Sequence, residues 1–165
     1  MIVSVQDWIF DVDIEATSRY CSDVVANPCN CGYCRNFRAA VNKEVPELNQ
    51  FLSQLGSSVV APEELMPYEP TVFEGSYCIS GKILQRGNDV RISEHCWLSV
   101  LTEDETDYET QCPKPFFVLR SNSMELPWVL DEDMDEVVSP ANEPEYLQRM
   151  WNRLLQNAPE DLLNS

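Results

Sequence analysis

The order of hydrophobic patterns along the chain predicts an α+β fold, with an N-terminal strand and helices followed by an antiparallel sheet and a C-terminal helix packed on it. Three observations carry this. Apolar residues alternate around Trp8, Phe10 and Val12, a helical stripe runs from Phe37 to Leu55, and alternation returns after Thr71.

Val3 to Ile14 reads as one strand with a wet face, since Trp8, Phe10, Val12 and Ile14 fall on one side and Asp7, Asp11 and Asp13 on the other. Glu15 to Val25 fits a short helix, with Ala16, Tyr20 and Val24 four apart, and Asn27-Pro28 ends it. Phe37, Val41, Val45, Leu48, Leu52 and Leu55 form a core-facing stripe. Pro46 interrupts it, predicting a kink or two helices with Pro46 opening the second, and Gly56 is the expected stop. Ala61 to Pro70, with Pro62, Pro67 and Pro70, reads as a linker within the domain. Thr71 to Leu84 is strand-like, Gln85 to Asp89 turns, and Val90, Ile92, Cys96, Leu98 and Val100 alternate on the return, which predicts a hairpin. An acidic loop, Thr102 to Thr110, precedes another strand within Lys114 to Asn122. Asn142-Glu-Pro-Glu145 has the form of an N-terminal cap for a helix whose apolar face is Tyr146, Leu147, Met150, Trp151 and Leu154. The 165 residues fit a single α+β domain, 1–165, without repeats.

Composition excludes several classes. A hydrophobic fraction of 44% is that of a globular chain, and the apolar runs are too short to span a bilayer. Met1-Ile-Val-Ser-Val has neither a basic n-region nor an apolar h-region, so the expectation is a cytoplasmic protein without a signal peptide. Seven cysteines then read as thiols or ligands rather than as a disulfide framework. The net charge is −17, and Glu94 to Glu145 alone holds 14 acids against Lys114 and Arg120. Such a surface repels nucleic acid and anionic membranes, whose recognition needs cations, and suits solubility or a basic protein partner. Asp131-Glu-Asp-Met-Asp-Glu136 lacks the glycine and terminal glutamate of a calcium loop and reads as a solvated acidic loop.

Chemistry concentrates at Cys29-Asn-Cys-Gly-Tyr-Cys34, with Cys21 eight residues upstream. Thiolates bind Zn²⁺ tetrahedrally, and a short loop supplies several ligands at little ordering cost. The candidate metal ligands are therefore Cys29, Cys31, Cys34 and Cys21, with zinc as the cofactor they would hold. A fourth ligand could equally come from Cys78, Cys96, Cys112 or His95, and no spacing selects among these. Gly32 offers freedom for amides to fold towards the sulfurs. Cys34 falls at a helix start with Arg35 and Arg38 within one turn, an environment that favours thiolate. Three readings stay open: reduced cysteines packed in a turn, a structural zinc site, and a redox or catalytic thiol.

Other enzyme chemistries find little support. The single histidine, His95, would face away from Cys96 on a strand, so no sequence-adjacent Cys-His pair forms. A serine triad lacks its Gly-x-Ser-x-Gly elbow, and five glycines leave no phosphate loop or dinucleotide fingerprint.

Cys29-x-Cys-Gly-Tyr-Cys-Arg-Asn-Phe37, Phe51-Leu-x-x-Leu-Gly56 and Pro127-Trp-Val-Leu-Asp-Glu132 together resemble a family of small acidic proteins from Gram-positive bacteria of the Firmicutes kind. The likeness runs from about Trp8 to Asp133 and implies a bacterial cytosolic protein. That family has no established activity, so no catalytic residue is carried over. The resulting expectation is a non-enzymatic binding or accessory protein with a structural, zinc-holding cysteine turn, against a thiol-dependent redox or transferase enzyme using Cys34 or Cys31. An acidic decoy occupying a basic protein is the third reading.

Overall fold

The computed structural model describes residues 1–137. The chain divides into two units, Met1–Leu130 and Asp131–Ser165. The expected helix over 142–154 lies outside the described residues.

The first unit begins with a hairpin. Strand β1 (Ile2–Val5) pairs antiparallel with β2 (Trp8–Val12), where one strand was expected. Gln6 at φ 49 makes the reversal that periodicity alone does not register. Trp8, Phe10 and Val12 are buried as the alternation predicts. Ile14 instead opens helix α1 (Ile14–Ala26), because Asp13 caps it: the Ala16 amide donates to Asp13 Oδ1 at 2.9 Å. Helices α2 (Gly32–Glu44) and α3 (Pro46–Gln54) follow, split at the expected proline. Pro46 sits in the first turn of α3, where its missing N–H costs nothing. Phe37, Val41, Leu48, Leu52 and Leu55 are all fully buried. Gly56, at φ +83, ends the run as expected; a Cβ there would lie 2.6 Å from the Ile14 carbonyl oxygen.

The sheet departs from the expected order in two places. The proline-rich stretch expected as a linker forms strand β3 (Glu64–Glu69), paired with β4 (Val72–Gln85). Pro67 is tolerated because β3 pairs with β4 alone, and the register shifts between Pro67 and Glu69. The expected hairpin across Gln85–Asp89 does not form. Strands β5 (Val90–Arg91) and β6 (Trp97–Thr102) pair with each other, and β6 then pairs with β7 (Phe116–Ser121) rather than with β4. The order is β1-β2-β4-β7-β6-β5, with β3 and the short β8 (Met124–Glu125) also on β4. Every pairing is antiparallel, so the α+β class holds.

β4 is buried without a break from Gly75 to Gly81. Its two faces pack against different layers. Phe73 meets Phe37 of α2, with ring centroids 5.6 Å apart and tilted by 58°, and the Tyr77 hydroxyl donates to the Val59 carbonyl at 3.0 Å. On the other face Cys78 packs with Cys112, Phe116 and Val118, joined by Tyr20 of α1. Phe10 stacks on Phe117 at 4.6 Å, tying β2 to β7 across β4. The acidic stretch after β6 contains a 3-10 turn, Glu103–Glu105, and spends the nearby cations: Lys114 pairs with Glu103, Arg86 with Glu105, and Arg120 with Asp107. These are exposed pairs of small individual worth.

Asn36 fixes the angle at which α2 lies. It is fully buried. Its amide nitrogen donates to the Pro127 carbonyl at 3.1 Å, and its oxygen accepts from the Val129 amide at 2.8 Å. Asn36 thus bridges to chain some ninety residues away, a partner that spacing does not reveal.

In the second unit, the described residues are Asp131–Val137. Helix α4 (Met134–Val137) forms where a loop was expected, because Asp133 Oδ1 accepts from the Asp135 amide at 2.9 Å.

Two substitutions test this account. Asn36→Ala strands a carbonyl and an amide and is expected to destabilise the protein by about 2–3 kcal/mol in chemical denaturation. A loss within ~0.5 kcal/mol would show that the bridge is not structural. Gly81→Ala places a Cβ 2.3 Å from the Asp11 carbonyl oxygen at a φ of +152. It is expected to cost at least ~2 kcal/mol, against the gain of up to ~1 kcal/mol that alanine brings where the backbone permits it.

Candidate metal centre

The turn Cys29–Cys34 is built by the start of α2. Cys31 is the residue that caps this helix, with extended φ −65 and ψ 159. Serine, threonine and aspartate usually fill that role; here a sulfur accepts from the Cys34 amide at 3.4 Å. Gly32 is buried as the first helical residue. Among the described glycines only Gly56 and Gly81 have positive φ, so the conformational freedom expected of Gly32 is not used.

The remaining turn is pinned by the two arginines. Arg35 Nε donates to the Asn30 carbonyl at 3.0 Å, and a guanidinium N–H of Arg38 donates to the Cys29 carbonyl at 2.8 Å. Both of these bonds are to backbone carbonyl oxygens. They tie the backbone at Asn30 and Cys29 to side chains of the first turns of α2.

The result is convergence. The sulfurs of Cys29, Cys31 and Cys34 all lie within 4.8 Å of one another, graded from exposed Cys29 to buried Cys34. These three are close enough to hold a metal ion. Tetrahedral Zn–S bonds of ~2.3 Å place sulfurs ~3.8 Å apart, so closure about an ion asks each to move by less than about 1 Å.

Their electrostatics differ from the sequence expectation, which placed thiolate character on Cys34. Hydrogen bonds from the Cys34 thiol, the Cys34 and Tyr33 amides and the Cys29 thiol outweigh burial at Cys31 and bring it down to about 6. Cys34 moves the opposite way, first because its own proton is given to Cys31 and then because it is buried. In the ion-free cluster the neighbouring donors favour ionisation of Cys31 over Cys34.

The other expected ligands lie elsewhere. Cys21 is half-buried beside Ser57 and Ser58, and burial raises its pKa. It is not among the converging sulfurs. Cys96 is buried, its pKa raised to about 11 by desolvation, and His95 is exposed in the bend before β6 with its carbonyl held by Asn122.

Cys78 and Cys112 form a second, buried pair that sequence spacing gives no reason to join, since β4 and the segment before β7 meet only in the fold. They hydrogen-bond to each other, and that bond, followed by burial, raises Cys78 far above the usual thiol range. Thr110 Oγ1 lies 3.8 Å from Cys78 Sγ, and Tyr20 reaches both Thr110 and the Glu63 carboxylate. Glu63 Oε2 and the Tyr108 hydroxyl are buried without a hydrogen-bond partner among the described residues. An open depression of about 450 Å³ lies elsewhere, between Asp11, Asp13, Ser80, Lys82 and Lys114.

Among the described residues no helix is long and apolar enough to cross a membrane. Compared with known proteins, the chain matches no family model, and no curated protein or solved structure matches it either.

Proposed function

We propose that this protein is a zinc-binding protein in which Cys29, Cys31 and Cys34 supply three thiolate ligands, and that it works as a binding or accessory protein. The convergence of the three sulfurs within 4.8 Å carries this reading. The α2 cap and the arginine–carbonyl bonds hold the turn, and Asn36 holds α2 behind it. A site made for structure alone would close with four protein ligands. The net charge of −17 supports a basic protein partner and disfavours nucleic acid.

A second reading rests on Cys31 itself. A half-buried thiol with a pKa brought down to about 6, at a helix N-terminus and hydrogen-bonded to Cys34, has the character of a nucleophile or redox thiol. This is the enzyme alternative narrowed to Cys31, with Cys34 as its proton-sharing neighbour.

Metal analysis separates the two. Protein prepared without chelator is expected to hold about one equivalent of zinc, and Cys29→Ser, Cys31→Ser and Cys34→Ser each to weaken it by about tenfold or more, while Cys21→Ser leaves it in place. Less than about half an equivalent, with every thiol free to titrate, sinks the zinc reading.

The thiol chemistry has its own readout in metal-free protein. Thiolate is the reactive form, so alkylation of Cys31 by iodoacetamide should rise through pH 6 and level off above about 7, since the fraction ionised is then complete. An unperturbed thiol would still be gaining rate at ~8.5. A Cys31 midpoint near that ordinary value removes the second reading.

A further inference from the structure

The sulfur and imidazole donors available to complete the site can be counted. All seven cysteines and the one histidine lie in the described residues, and residues 138–165 contain neither type. Cys78 is held against Cys112, Cys96 is buried on its own, Cys21 sits at Ser57 and Ser58, and His95 is tied into the bend before β6. None joins the three converging sulfurs, and among the described residues no carboxylate does so either. A zinc ion on Cys29, Cys31 and Cys34 therefore has a fourth position that no sulfur or imidazole of this chain fills in this fold, which is the pattern of a site that admits an outside ligand.

Two features select the ligand. The three sulfurs grade from buried Cys34 to exposed Cys29, so solvent and an outside ligand reach the cluster from the Cys29 side. At that end stands Arg38, held by its bond to the Cys29 carbonyl at 2.8 Å, which uses one of the five N–H donors of a guanidinium. The stretch 24–43 carries Arg35, Arg38 and Lys43 and no acid, in a chain of net charge −17. Zinc with three thiolates carries a formal charge of −1, which neighbouring cations offset, and a soft sulfur-rich ion favours a further sulfur donor.

We propose that the fourth position takes a small thiol bearing a carboxylate, bound through its sulfur to zinc and through its carboxylate to Arg38. The proposal rests on the zinc reading above. On binding, the thiol releases its proton to solvent, a zinc-bound water leaves, and one Zn–S bond replaces one Zn–O bond. No electrons are transferred. Coordination keeps the sulfur as thiolate at neutral pH, as it does for any metal-bound thiol.

The test uses the zinc-loaded full chain with 3-mercaptopropionate, and with 2-mercaptoethanol as a thiol without the carboxylate. X-ray absorption at the zinc edge should count three sulfurs and one oxygen or nitrogen before addition, and four sulfurs after saturation with 3-mercaptopropionate. Titration of the cobalt-substituted protein should show 3-mercaptopropionate binding about tenfold more tightly than 2-mercaptoethanol, a preference that Arg38→Gln removes. Four sulfurs before any thiol is added, an unchanged three-sulfur count at saturation, or loss of zinc to the thiol each overturn the proposal while leaving zinc binding intact as a finding. Equal wild-type affinities for the two thiols overturn it as well, which decides the matter even where Arg38→Gln fails to load. A wild-type chain that never takes up zinc overturns the underlying reading instead.

Discussion

Helix α2 can offer three sulfurs at its N-terminus only because its opposite side is committed to the core. Phe37 is buried against Phe73 of β4, and one residue earlier Asn36 is closed on Pro127 and Val129. Hydrophobic burial fixes how deeply the helix sits, and the two directional bonds of the amide fix its rotation and slide. The turn that precedes it is then left at the rim, with Cys34 inside and Cys29 in solvent. Strand β4 supplies the platform: it pairs with β2, β3, β7 and β8 and presents one face to α2 and the other to the Cys78 cluster.

Within that frame the turn works by sharing a limited set of donors. Cys31 caps the helix and accepts the Cys34 amide, and the same sulfur draws the protons of Cys29 and Cys34. Stabilising one thiolate destabilises the next, as the opposite displacements of Cys31 and Cys34 record. A divalent ion resolves that conflict, because three thiolates about a cation no longer compete for protons. The arginines contribute chiefly through position, by holding the carbonyls of Asn30 and Cys29.

Much of the local structure was legible from residue patterns. The split at Pro46, the stop at Gly56 and the burial of Phe37, Val41, Leu48, Leu52 and Leu55 follow from backbone chemistry and period alone. What escaped were features with no local marker. The β1–β2 reversal at Gln6 uses a left-handed residue that is neither glycine nor asparagine. The strand Glu64–Glu69 hides behind prolines that an edge position tolerates. The failed hairpin after β4 reflects a competition between strands for partners, which no window of sequence contains.

The candidate centre divides along the same line. Sequence by itself placed Cys29, Cys31 and Cys34 within six residues at a helix start, because ligand spacing and helix entry are local properties of the chain. Tertiary structure alone decided that the donors around Cys31 favour its thiolate over that of Cys34, that Cys21 stands beside Ser57 and Ser58, and that Cys78 meets Cys112. Those outcomes depend on burial and on donors that approach through space, and neither quantity is written in the order of residues.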